Sequence, residues 1–146
     1  MTDNGRLNVG IIGAGPVGAV LGLALAGAGH LVVGISAVSQ ENRERAEALL
    51  PEVPLMDVPE ILQKADLVLL AIPDDELVPT VTGLAEAGLW HPGQIVAHTS
   101  PEHGYSALAP AAARGAIPIA IHPAMRFTGT SVDLIKLPDA YFAVSA

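Results

Sequence analysis

Gly13, Gly15 and Gly18 stand in the spacing Gly-x-Gly-x-x-Gly within Gly13-Ala14-Gly15-Pro16-Val17-Gly18. That spacing suits the binding of a pyrophosphate by backbone amides rather than by side chains. The first glycine allows a tight turn, the second lets the main chain approach phosphate, and the third lets the following helix lie close to the sheet. Ala14 and Val17 fill the intervening positions, and Pro16 suits a first helical turn, where its missing N–H forfeits no intrahelical bond. N–H groups at a helix start, aided by the helix dipole, meet an anion directly. Spacing alone is a weak signal, because glycine-rich turns occur without any ligand. Here the flanks decide: Leu7 to Ile12 is an apolar, β-branched run that reads as a strand, and Val17 to Ala28, rich in Ala and Leu, reads as a helix. A strand before and a helix after make this a dinucleotide-binding turn.

Gly27 and Gly29 close that helix and Leu31 to Ile35 forms the second strand, completing a βαβ unit. NAD binders usually carry Asp or Glu at the end of this strand, for the ribose 2′-hydroxyl. This chain has Ser36. Ser36, Ser39, Asn42 and Arg43 could surround a 2′-phosphate with hydroxyl, amide and guanidinium donors, so NADP is expected, with NAD as the alternative. Arg43 and Arg45 could instead pair with Glu41 and Glu47 on a surface helix, and for Arg45 that reading is preferred.

In an open α/β sheet, ligands lie beyond the carboxyl ends of the strands. Those ends are polar here. Ile72 and Pro73, followed by Asp74 and Asp75, and Thr99 and Ser100, preceded by His98, are expected along the cofactor. His122 and His98 are candidates for proton transfer, since imidazole titrates near neutrality; either could instead simply pack. Asp74 and Asp75 could cap the next helix, the reading preferred for at least one of them. Arg126 could hold a substrate carboxylate or be an ordinary solvated arginine. The histidines do not show the i, i+4 pair with an intervening Glu of a helical zinc site, so no metal is expected, and His30 lies at a turn.

Further elements must position these residues. Gln40 to Leu50 is a charged helix opened by Ser39, Pro54 to Met56 a weak third strand, and Val58 to Lys64 a helical turn capped by Asp57. Leu67 to Ile72 is a buried strand stopped by Pro73, and Leu77 to Ala87 a helix. Gln94 to His98 is a strand leading into the loop Thr99 to Gly104, Tyr105 to Arg114 a helix, Ile117 to Ile121 a strand ended by His122-Pro123, and Tyr141 to Val144 one more strand. This alternation predicts a doubly wound, mostly parallel sheet of Rossmann type in three αβα layers, spanning residues 1–146 as one domain.

Composition agrees. Of 146 residues, 51% are hydrophobic, which excludes disorder, and only 3% aromatic, so Ala, Val, Leu and Ile must build the core. A net charge of −8 with scattered Lys and Arg excludes a nucleic-acid stripe. The uncharged stretch Val9 to Gly29 has membrane-spanning length, but its clustered glycines and proline favour a strand, turn and buried helix. The absence of cysteine suits a reducing cytoplasm.

Val9-Gly10-Ile11-Ile12-Gly13-Ala14-Gly15, Ala71-Ile72-Pro73-Asp74-Asp75, His98-Thr99-Ser100 and His122-Pro123-Ala124-Met125 together resemble the Rossmann domains of the 6-phosphogluconate-dehydrogenase-like superfamily. That superfamily includes prephenate dehydrogenase, pyrroline-carboxylate reductase and deazaflavin-dependent NADP reductases. The resemblance covers almost the whole chain and is greatest to a bacterial Rossmann-like family that joins such a domain to a helical C-terminal one. It implies NADP-dependent hydride transfer to or from a small carbonyl, imine or hydroxy acid, with a non-catalytic NADP-binding sensor or assembly module as the rival. The His-Pro pair is similar to that of prephenate dehydrogenases, where the histidine contributes to catalysis, which implies His122. Two departures leave the substrate open: Arg126-Phe127-Thr128-Gly129 stands where those enzymes have an early glycine, and Pro101-Glu102 where the nearer family tends to have Gly and a small residue. The helical domain, and a homodimer made through it, are expected outside this chain.

Overall fold

In the computed structural model, which describes residues 5–139 and 141–146, the strands form one six-stranded sheet. β1 (Asn8–Ile12) leads through α1 (Pro16–Gly27) to β2 (Leu31–Ser36), then α2 (Gln40–Leu49), α3 (Val58–Lys64) and β3 (Leu67–Leu70). α4 (Asp74–Glu86) and β4 (Ile95–His98) follow, then a 3-10 turn at Tyr105–Leu108 running into α5 (Ala109–Ala112), β5 (Ile117–Ala124), α6 (Val132–Lys136) and β6 (Tyr141–Ser145). The spatial order is β2-β1-β3-β4-β5-β6, with β6 alone antiparallel. The chain moves outward from β1 to β2 and returns past β1 to β3. The connections after β1 and β3 therefore diverge, and a crevice opens between their carboxyl ends.

Strand periodicity sorts the core into two halves. Val9 and Ile11 of β1, Leu69 and Ala97 pack with Ala46 and Leu50 and the leucines of α1 on one face. Ile12, Val68, Leu70 and Val96 pack with Ile61, Leu77, Val81, Leu108 and Ala111 on the other. Helices thus cover both faces, giving the expected three layers. The approach of α3 is close: a Cβ on Gly10 would lie 2.2 Å from Ile61 Cγ2. Trp90 and Gln94 are buried and satisfied; Trp90 Nε1 donates to Val81 O, and Gln94 Nε2 donates to Leu62 O and Ala65 O. His30 Nδ1 accepts the Leu7 N–H, stitching the turn after α1 to the start of β1.

Several boundaries differ from those the sequence predicts. Pro54 to Met56 makes a single parallel bridge, Leu55 to Ile35, rather than a strand, consistent with a proline that has no N–H to donate. α4 begins at Asp74, three residues before Leu77, with Pro73 at the cap position, so Asp74, Asp75 and Glu76 fill the first turn, where the dipole favours acids. Ser39 caps α2 through Asn42 N–H at 3.1 Å, whereas Asp57 occupies the cap of α3 without a side-chain bond. β5 continues through His122-Pro123 to Ala124, because β6 pairs along Ala120 to Ala124. α6 was not foreseen. In its first turn Asp133, fully buried, accepts Thr128 N–H, Gly129 N–H and the Thr128 hydroxyl at 2.8, 2.9 and 2.7 Å. Among the described residues no helix is long and apolar enough to cross a membrane; Val9 to Gly29 divides between β1, the turn and α1.

Candidate functional site

The turn between β1 and α1 shows why each glycine is there. Gly13 has φ +100°, and a Cβ on it would lie 2.4 Å from Ala71 O at the end of β3. A Cβ on Gly18 would lie 2.2 Å from Gly13 O and 2.9 Å from Ala71 Cβ, so α1 can approach only because that atom is absent. Gly15 has nothing within 4 Å of the same position and faces open space. The first bond of α1 runs from Ala19 N–H to Gly15 O, so the Val17 and Gly18 N–H groups have no helical carbonyl, and no acid stands in the first turn. This is a donor-lined gap shaped for an anion.

The surroundings brace the turn. Gly13 N–H donates to Ser36 Oγ at 3.1 Å, fastening the end of β2 to the loop while leaving the serine proton available. Arg45 makes its expected pair with Glu41 at 3.2 Å, but its side chain is only 14% exposed and Nη1 also donates to Ala14 O at 3.2 Å and Asn42 Oδ1 at 2.7 Å. It is therefore more than a solvated surface group. The segment after β5 packs on the same spot: Gly129 has φ +81°, and a Cβ there would lie 2.6 Å from Arg45 Nε and 3.3 Å from Pro16 Cβ. No spacing in the sequence announces this brace, which depends on the angle at which α2 crosses the loop. Arg43 by contrast is exposed, donates Nε to Ala37 O at 3.4 Å and does not line the cleft.

A cleft of about 750 Å³ follows the carboxyl edge of the sheet. At one end stand Ser36, Ser39, Asn42 and Val38, the last 93% exposed and so an isolated apolar lip. Gly13, Gly15, Pro16 and Val17 line its middle, and Ile72, Pro73, Asp74, Thr99 and Ser100 its far end. The structure thus brings together most of the residues the sequence singles out for a cofactor. Ala14 and Gly18 lie buried beneath the loop rather than on the cleft wall. Sequence reasoning missed Val38 and gave Asp74 only a capping role. The residues fit an extended dinucleotide: open glycine for the pyrophosphate, apolar Val38 and Ile72 toward its ends, and no acid among the lining residues from Ser36 to Asn42.

At the far end the loop after β4 is tied down. His98 is fully buried; its Nδ1 accepts Ser100 N–H at 3.0 Å, so Nε2 carries the proton and donates to Gly104 O at 2.8 Å. Burial lowers its pKa, the Gly104 carbonyl opposes that shift, nearby His103 adds to it and Asp74 opposes it. Both ring nitrogens are thus committed to the main chain, and His98 lines no part of the cleft. The geometry gives it the task of holding the loop rather than exchanging protons with a ligand. Ser100 Oγ donates to Asp74 Oδ1 at 2.5 Å, and His103 Nε2 donates to Asp74 O at 3.1 Å.

His122 lies on β5, half-buried, in a pocket of about 180 Å³ with His103 and Ser145. This pocket meets the cleft at Ser100 and Pro101, which line both. Arg126 is exposed and lines neither. Among the described residues no group of three or more His, Asp or Glu is placed to hold a metal.

Fold and cleft define an α/β domain of Rossmann type. The chain belongs to the Rossmann-like domain family, whose model matches residues 2–123. No functionally curated protein sequence matches it. Among solved structures it is similar to a candidate NADP oxidoreductase of Bacteroides fragilis (TM-score 0.71, 19% identity, 97% of this chain and 52% of that one). It is also similar to arogenate dehydrogenase of Synechocystis (0.64, 25%, 83% and 42%) and to prephenate dehydrogenase of A. aeolicus bound to NAD+ (0.67, 16%, 84% and 43%). These likenesses agree with the expected Rossmann-type fold, and the expected resemblance to prephenate dehydrogenase is among them. The chain spans about half the length of these structures or less.

Proposed function

We propose that this chain is the cofactor-binding part of an oxidoreductase that transfers hydride between NADP and a small carbonyl, imine or hydroxy-acid substrate. The observation that carries the reading is the continuity of the cleft. It runs from the donors Ser36, Ser39 and Asn42, past the open face of Gly15, to Ser100, where the His122 pocket begins. The Val17 N–H group beside the open face of Gly15 would hold the pyrophosphate. Ser36, Ser39 and Asn42 would meet the adenosine 2′-phosphate, with Arg43 reaching in from the rim, and the lack of an acid among the lining residues from Ser36 to Asn42 favours NADP over NAD. Ile72, Pro73 and Thr99 would enclose the nicotinamide. The cofactor supplies the hydride chemistry; the chain orients it and manages protons. His122, beside the far end, would give or take the proton of the substrate oxygen or nitrogen, and Arg126, just beyond β5, would meet a substrate carboxylate. A helical domain outside this chain would close the substrate side and pair two copies; the greater length of the similar structures supports that part of the reading.

The test, made on the protein in which this chain is joined to the domain that closes its substrate side, is oxidation of NADPH against a panel of small carbonyls and imines, followed by loss of the reduced-nicotinamide absorbance. His122→Asn should lower turnover about 10²- to 10⁴-fold, the usual contribution of a general acid or base, while NADPH affinity stays within about twofold. NADPH binding without oxidation of NADPH by any substrate would favour a non-catalytic NADP-binding module.

A further inference from the structure

Ser100 and Pro101 line both the cleft and the His122 pocket, and of the two only Ser100 has a side-chain hydrogen-bonding group. That group is held from two directions. Ser100 N–H donates to His98 Nδ1 at 3.0 Å, and its hydroxyl donates to Asp74 Oδ1 at 2.5 Å. A carboxylate oxygen only accepts, so the proton in this contact belongs to Ser100, and what remains for a ligand is the lone pairs of Oγ. The holders are themselves fixed. Asp74 sits in the first turn of α4 with its carbonyl accepting from His103 Nε2, and His98 is anchored on Gly104 O. The hydride-transfer reading uses neither Asp74 nor His98, yet both converge on the residue at the junction.

We propose that Asp74 fixes Ser100 Oγ as a hydrogen-bond acceptor, and that this acceptor takes the carboxamide N–H of the nicotinamide ring. Ser100 is then a cofactor-binding residue and Asp74 a positioning residue acting through it. The carboxamide carries the only N–H donor on that ring and is attached to the carbon next to the one that exchanges hydride. Holding it at the junction turns the reacting carbon toward the His122 side. The inference rests on the reading that the cleft holds a nicotinamide cofactor.

The test is calorimetric titration with NADP+ and with its 3-acetylpyridine analogue, in which a methyl ketone replaces the carboxamide and the N–H donor is lost. The native chain should prefer NADP+ by about tenfold, the contribution of one hydrogen bond. Ser100→Ala should bring the two ligands within about twofold. Asp74→Asn should do the same, because an amide can donate to Ser100 Oγ and reverse the sense of the bond at unchanged size. Asp75→Asn, an exposed acid in the same helical turn but outside the cleft, should keep the preference, as should Ser100→Thr, which retains the hydroxyl. If Asp74→Asn loses too much stability to titrate, the comparison of Ser100→Ala with Ser100→Thr decides. A native chain without preference, or a tenfold preference surviving in Ser100→Ala and Asp74→Asn, overturns the proposal and leaves the cofactor reading standing. Failure of NADP+ and NAD+ alike to bind overturns both.

Discussion

Gly15 and Gly18 are the same residue three positions apart, and the structure sets them opposite tasks. A methyl group on Gly18 would strike Gly13 O and Ala71 Cβ, so Gly18→Ala should destabilise the fold by about 1–3 kcal/mol, the usual cost of overpacking. A methyl group on Gly15 meets nothing, and its backbone φ of −70° suits any residue, so Gly15→Ala should leave chemical unfolding within about 0.5 kcal/mol of native. It should nonetheless weaken dinucleotide binding at least tenfold by filling the space the phosphates need. Unfolding and binding curves on the two variants check this division. The division was legible from the spacing because the tightest contact, Gly18 against Gly13 O, lies within the strand-turn-helix itself; the contact with Ala71 was not. Arg45 and Asp74 were not legible: Arg45 reaches Ala14 across 31 residues and Asp74 reaches Ser100 across 26, contacts set by how α2 and α4 pack.

The loop after β4 owes its shape to a neutral imidazole. His98 can accept the Ser100 N–H only while Nδ1 is unprotonated, and burial holds its pKa below the ordinary 6.5. The unfolded chain therefore takes up the proton first. The stability His98 contributes is full above about 6.5 and is lost as pH falls through its folded value. The thermal midpoint should decline over that acid limb, and His98→Gln, which can accept and donate without titrating, should decline less. The segment after β5 depends on Asp133 in the same way but at lower pH. Burial alone would raise this carboxyl, yet the Thr128 hydroxyl and the Gly129 and Thr128 amides outweigh it and hold the pKa below 3.8. Its contribution is present above that value and lost as pH falls through the folded one. Asp133→Asn should lower the neutral-pH midpoint by a few degrees, with the gap to native closing in strong acid. Strands and caps that depend on local pattern, such as β1, β2 and Ser39, were readable in the sequence. The extension of β5 and the presence of α6 were not, because β6 pairs with β5 from about twenty residues further along.

Over the whole molecule, alternating apolar runs and a single glycine loop were enough to read a doubly wound, mostly parallel sheet, whereas the strand order and the crevice at its switch point emerge only from packing. Substrate identity is not carried by that pattern; in the proposed reading it depends on the few polar residues around His122. The similar solved structures agree on the fold, and in the proposed reading the Ser36 end of the cleft is what discriminates NADP from NAD. The most direct measurement is thermal unfolding of the purified chain with NADPH, with NADH and with neither. NADPH at about 100 times its dissociation constant should stabilise the fold by about 2.7 kcal/mol, on the order of 5–10 °C, with a smaller shift from NADH at the same concentration. An unchanged midpoint with both cofactors would contradict the assignment of this cleft as a nicotinamide-dinucleotide site.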